Sequence, residues 1–249
     1  MRRSLTALLI LLVGAALCAA QSGQAQGSAA TQPDMVIKLG KASVILPPPE
    51  GFAEATSQIE SLRRIWEATE SSDLDFLASH IPTEDLAKMK RGEPITHPFY
   101  TKVSVLRKVR EMDISPELFS GIVNSLQQNS GKIFDINGPA LKSSVRDANK
   151  GLDELLEQDV KLDMSQPVNL GEIEKTQNYY STLLLIKSRI QIGAEQREAV
   201  LLLSVSLLRV RQRVIYLYFS RLFKSEADIE IVKSQTVKWL KQVLRANPD

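Results

Sequence analysis

A period-two pattern runs through residues 199–223, AVLLLSVSLLRVRQRVIYLYFSRLF. In its first arm Leu201, Leu203, Val205 and Leu207 share one face, while Val200, Leu202, Ser204, Ser206 and Leu208 share the other. In its second arm Ile215, Leu217 and Phe219 alternate with Val214, Tyr216 and Tyr218. The pattern predicts two antiparallel strands joined at the basic turn 209–213, each apolar on both sides. Such strands must be covered on both faces, which places them centrally in a sheet with helices above and below.

The rest of the chain supplies those covers. Residues 35–39 and 41–46 predict a short hairpin pivoting at Gly40, ended by Pro47, Pro48 and Pro49, which offer no ladder donors. Ile59, Leu62, Ile65 and Trp66 fall at helical spacing. A strand is expected over 74–81, then a short helix capped by Thr83 and ending near Gly92. Residues 100–109 alternate as a strand whose wetter side holds Lys102 and Ser104. Ser115 followed by Pro116 opens a helix striped by Leu118, Phe119, Ile122, Val123 and Leu126 and stopped by Asn129 and Gly131. A second helix is expected over 140–162. Strands over 168–175 and 179–191 lead into the long hairpin as an antiparallel meander. Ser225 and Asp228 then cap a closing helix striped by Ile229, Val232, Trp239, Leu240 and Val243. The fold class expected is α+β: an antiparallel β-sheet with a C-terminal meander and helices packed on both faces, an α/β/α sandwich.

Residues 46–52, LPPPEGF, form a Leu-Pro-x-x-x-Gly-Phe turn behind a short N-terminal strand. Together with the late long hairpin and the closing amphipathic helix, this resembles the Mog1/PsbP-like sandwich, over residues 35–55 and 170–246. Its members include extrinsic photosystem subunits and exported bacterial proteins of unassigned role. The resemblance implies a scaffold used mainly for binding other proteins, and it carries over no functional residue.

The N-terminus changes the composition that matters. Arg2 and Arg3 form a basic head, residues 5–17 an apolar run, and small and polar residues follow. This is the pattern of an export signal, with small-x-small cleavage points after Ala20 or Ala25. Cys18 raises the question of a lipoprotein, but Leu17 stands where a small residue would be needed. The apolar run is shorter than the roughly 20 residues of a membrane-spanning helix, so no transmembrane segment is expected in the mature chain. The organisation expected is therefore a signal peptide over 1–25, a flexible tether over 26–34 rich in Gln, Ser, Gly and Ala, and a single domain over 35–249. Of 31 Lys and Arg, two lie in the leader, and the other 29 balance 29 Asp and Glu. The mature chain is formally neutral and holds no cysteine, so disulfides, thiolate zinc sites and cysteine nucleophiles are not expected. The address is the periplasm or beyond.

Chemistry is sparse. Of the two histidines, His80 and His97, a mononuclear site completed by an Asp is conceivable, and Asp73, Asp75, Glu84 and Asp85 lie nearby in sequence. No HExxH spacing supports it, and Pro82, Pro94 and Pro98 place both histidines at element ends. There is no GxSxG elbow and no glycine-rich phosphate loop. Tyr179, Tyr180, Tyr216, Tyr218 and Phe219 would line a pocket if strand 179–191 paired beside strand 214–223, and otherwise fill the core. Arg209, Arg211 and Arg213, joined by Lys187 and Arg189 if the strands bring them close, form the noticeable basic cluster. That cluster would meet an acidic partner or anionic lipid headgroups, or simply keep a β-rich protein soluble. Nucleic acid is not expected, given charge neutrality and no basic-aromatic interleaving.

The reading that follows is an exported, non-catalytic cell-envelope domain. It binds a protein or small ligand and has no cofactor or metal, with Arg209, Arg211 and Arg213 as the candidate interaction surface. The rival readings are a metal-dependent or hydrolytic enzyme using His80 and His97, and membrane-surface association through the three arginines.

Overall fold

The computed structural model of the chain describes residues 34–93, 95 and 99–248, the side chain of Ala140 aside. The leader, the tether up to residue 33 and His97 lie outside the described residues. In chain order the elements are β1 (Met35–Leu39), β2 (Ala42–Leu46), β3 (Phe52–Glu54), α1 (Glu60–Thr69), β4 (Leu74–Pro82), α2 (Thr83–Lys90), β5 (Phe99–Leu106), α3 (Pro116–Ile133), α4 (Pro139–Leu156), β6 (Val160–Met164), β7 (Val168–Lys175), β8 (Tyr179–Ile192), β9 (Glu195–Val210), β10 (Arg213–Leu222) and α5 (Ala227–Ala246).

Strands β3 to β10 form one antiparallel sheet in the order β3-β4-β5-β10-β9-β8-β6, with β7 also paired to β8. β8 is long enough to take both partners on one edge: β7 covers its first half and β6 its last five residues. β9 and β10 are central, as their two-sided apolar pattern requires, and are paired without a break from Val210–Arg213 to Leu201–Leu222. β1 and β2 form a separate two-stranded ribbon.

The two faces of β9 define two cores. Leu201, Leu203, Val205 and Leu207 join Tyr216 and Tyr218 beneath Trp66 of α1, Phe119 and Val123 of α3, and Leu141, Ala148 and Leu152 of α4. Leu202, Leu208, Ile215, Leu217 and Phe219 face the ribbon and α5, whose Val232, Trp239, Leu240 and Val243 are all buried. Each such side chain contributes about 1.5–3 kcal/mol relative to an exposed one. The serines on this second face let α5 approach: Ser204 accepts a hydrogen bond from Thr236 at 2.7 Å, and Ser206 bonds Ser181 at 2.8 Å. The molecule is the α+β sandwich expected, with the ribbon sharing one cover.

Two boundaries and two placements differ from the sequence reading. The helix expected over 140–162 ends at Leu156, where Glu157 turns left-handed (φ 53), and the alternating Val160, Leu162 and Met164 form β6. Helix α3 runs through Asn129 and Gly131 to Ile133, because neither residue by itself closes a helix already anchored by packing. Lys102 and Ser104 lie on no wet side: both are buried under α1. β8 and β10 are not neighbours, since β9 runs between them.

Candidate functional site

One end of the molecule gathers the turns between β1 and β2, between β7 and β8, and between β9 and β10, with residues 107–115 threaded among them. Each turn has its own chemistry. Gly40 supplies a positive φ of 59° in the two-residue β1–β2 turn, and a Cβ there would stand 3.1 Å from Glu111. The β9–β10 turn holds Arg211 and Gln212 at φ 48° and 58°. Positive φ at both central residues defines a type I′ turn, which suits hairpin twist but favours Asn and Gly. Arginine and glutamine there cost about 1–2 kcal/mol each.

The three arginines separate by role. Arg209 is buried; its Nε donates to Ile114 O at 2.7 Å, and its Nη1 reaches Asn178 Oδ1 at 3.4 Å. Arg213 is buried too, donating to Leu39 O at 2.8 Å and ion-pairing with Asp113. Ile114 N donates to Gln212 O at 2.8 Å, tying the threaded segment to the turn. Arg211 alone of the three is exposed. Lys187 and Arg189 do not join them: both pair with Glu198, on the order of 35 Å away along β9 at strand rise.

Between the ribbon turn and the hairpin turn lies an open concavity of about 610 Å³, lined by Lys41, Ala42, Ser43, Arg209, Arg211 and Gln212. No acid lines it. Nearby Arg107 and Arg110 both pair with Asp75, each at 2.7 Å. Lys41 and Arg211 have no ion-pair partner among the described residues.

His80 sits in a different setting. It is fully buried on β4, its Nδ1 is 2.7 Å from Thr101 Oγ1, and its ring stands edge-on to Trp239 at 5.6 Å. Nε2 has no hydrogen-bond partner among the described residues. Desolvation pulls its pKa down to about 4, against the opposing pull of Glu54. Glu54 itself accepts from the Thr56 and Ser57 amides. Among the described residues no group of three His, Cys, Asp or Glu could hold a metal ion.

The tyrosines divide between the faces. Tyr180, Leu207 and Tyr216 form one cross-strand row, beside a small cavity of about 30 Å³ under α3. Tyr179 packs into the opposite core. One charged pair escaped sequence reasoning altogether. Lys102 bonds Glu70 at 3.2 Å with both side chains nearly inaccessible, and its Nζ lies 4.9 Å from the Tyr218 ring. A lysine between Thr101 and Val103 on an inner strand was its only signal.

No helix among the described residues is long and apolar enough to cross a membrane. No family model and no curated protein matches this chain. Among solved structures, similarity extends to a mutant of the protein Mog1, at 12% identity and TM-score 0.31 over 87% of this chain and 95% of that one. It extends also to the Saccharomyces cerevisiae Ran-binding protein Mog1p, at 11% and 0.31 with the same coverage. A Pseudomonas aeruginosa protein of unknown function matches at 10% and 0.24, over 88% of this chain and 99% of that one.

Proposed function

We propose that this chain is an exported, non-catalytic binding domain of the cell envelope, which engages a protein or small ligand at the basic concavity between the ribbon and the long hairpin. The observation carrying this reading is that Lys41 and Arg211 line a concavity of about 610 Å³ with no acid in its lining and no ion-pair partner of their own among the described residues. Small-molecule and peptide sites have this size. The basic leader head followed by an apolar run supports the address. The burial of His80 beneath Trp239 argues against the hydrolytic reading, since a general base or metal ligand must meet substrate or solvent.

The test is capture from the native envelope with the full chain, tagged at its C-terminus, beside a Lys41→Ala/Arg211→Ala variant. Arg209 and Arg213 are left intact because their buried hydrogen bonds hold the fold. A partner retained by the wild type and lost by the variant is the expected result. Equal capture by both, or recovery of the chain from the cytoplasmic fraction with its leader intact, overturns the reading.

A further inference from the structure

The concavity has a more specific chemistry than positive charge alone. Lys41 Nζ is a point charge with three donors and the Arg211 guanidinium a planar fork, while Ser43 and Gln212 add a hydroxyl and an amide. Arg209 belongs to its lining: Nε and Nη1 are committed to Ile114 and Asn178, and Nη2 has no acceptor among the described residues. The contrast with other cations is direct. Arg107 and Arg110 share Asp75, and Lys187 and Arg189 share Glu198, whereas Lys41 and Arg211 share a hollow. The turn that carries Arg211 and Gln212 holds both in left-handed backbone, where glycine or asparagine would sit without strain. Strained backbone of this kind clusters at ligand clamps and other functional sites.

We infer that this concavity is a phosphate-binding site, taking the phosphate monoester of a small ligand or of a lipid headgroup between Lys41 and Arg211. This rests on the binding-domain reading above and gives its ligand a chemical class. A phosphate monoester carries about −1.5 to −2 charges near neutral pH and three acceptor oxygens, which matches two unpaired cations. A carboxylate, planar and singly charged, would leave one of them uncompensated. Arginine's fork meets two phosphate oxygens at once, and Ser43 and Gln212 supply neutral donors. The wide mouth leaves room for whatever the phosphate is attached to.

The experiment is a titration of the isotope-labelled chain with inorganic phosphate, followed by amide chemical shifts, with ionic strength held constant by sodium chloride. Saturable shifts confined to residues 40–43 and 209–213 are expected. They weaken at least about tenfold in Lys41→Ala and in Arg211→Ala, and vanish in the double variant. Arg211→Gly separates binding from folding: it relieves the turn, so the melting temperature rises while phosphate binding falls. Co-sedimentation with vesicles containing phosphatidic acid, whose headgroup is a phosphate monoester, and not with phosphatidylcholine vesicles, assigns the phosphate to a lipid headgroup when phosphate competes and the double variant fails to sediment. Phosphate shifts without vesicle binding assign it to a free ligand. Absence of saturable shifts beyond those of chloride, or shifts unchanged in the double variant, overturns the inference. Envelope capture that still depends on Lys41 and Arg211 would then leave the binding-domain reading standing with a different ligand.

Discussion

His80 shows what burial does to one titratable side chain. Its imidazole is held neutral in the core with a pKa of about 4 against an ordinary 6.5, chiefly through desolvation. Between these values the unfolded chain binds a proton that the folded chain refuses, so stability rises with pH across the window. It is complete above about pH 6.5 and falls as pH drops towards 4, by about 3 kcal/mol for this group. Urea midpoints of the wild type and His80→Leu between pH 7 and 4 check this. The wild type should lose stability more steeply, and identical slopes would contradict the argument. Lys102 is buried as well, and its burial is met by a partner: its Nζ bonds Glu70 at 3.2 Å, whose other oxygen accepts from Ser104 at 2.6 Å. Removing one member of such a pair strands the other, whereas replacing both is tolerated far better. Neither burial can be foreseen from the residues alone, because a polar side chain on a strand reads as solvent-facing until the neighbours that cover it are known.

At the scale of elements, glycines and caps decide where pieces meet. Helix α4 crosses α1 at Gly151, where a Cβ would stand 1.8 Å from the carbonyl oxygen of Ala68. In a free helix Gly151→Ala would stabilise by about 1 kcal/mol. Here the overlap wins, and separating the helices should cost about 3 kcal/mol. A thermal melt decides the sign: a more stable Gly151→Ala would mean that the helices do not cross there. Ser115 caps α3 as its sequence context indicates, accepting from Leu118 N at 3.2 Å with Pro116 at the first helical position. For α5 only the acidic half of the expected box forms. Asp228 accepts from the Lys224 and Ser225 amides at 2.9 Å, and these bonds, the Lys224 amide foremost, together with Arg221 hold its carboxyl below the usual carboxylate range. The boundary between α4 and β6 was the least legible. Val160 fits both a helical stripe carried on from Leu152 and an alternating strand, and the competition is settled by β6 pairing to β8 from Val160–Ile192 to Met164–Ser188.

For the molecule as a whole, the ribbon is early in sequence but is held by residues from the last part of the chain. Arg213 holds Leu39 O, Trp239 Nε1 donates to Pro47 O at 2.9 Å, and Asn247 brackets Ile45 through its amide nitrogen and carbonyl oxygen, each at 2.7 Å. Residues near the two ends of the described chain thus pin the same strand pair over the sheet. Arg213→Ala should cost about 2 kcal/mol, the worth of a buried charge-assisted hydrogen bond left without its donor. It should also raise amide exchange in residues 35–46 above that of β8 and β9. Exchange increasing equally across the sheet would show that the ribbon is not a separately opening unit.

The sequence by itself determined the central sheet, the meander and the helices on both faces. Period-two and period-3.6 patterns are local records of which sides must be covered, and Leu201 to Phe219 could satisfy theirs only inside such a sandwich. It also pointed to Arg209, Arg211 and Arg213 as a basic cluster, with nothing to connect them to Lys41. Only the tertiary structure sent Arg209 and Arg213 inward, moved Lys187 and Arg189 to the far end of the hairpin, and brought Lys41 across from the ribbon to Arg211. The reason is physical. Apolar burial is written residue by residue along the chain, whereas the meeting of two charges distant in sequence depends on how separate turns converge, and no local pattern records that.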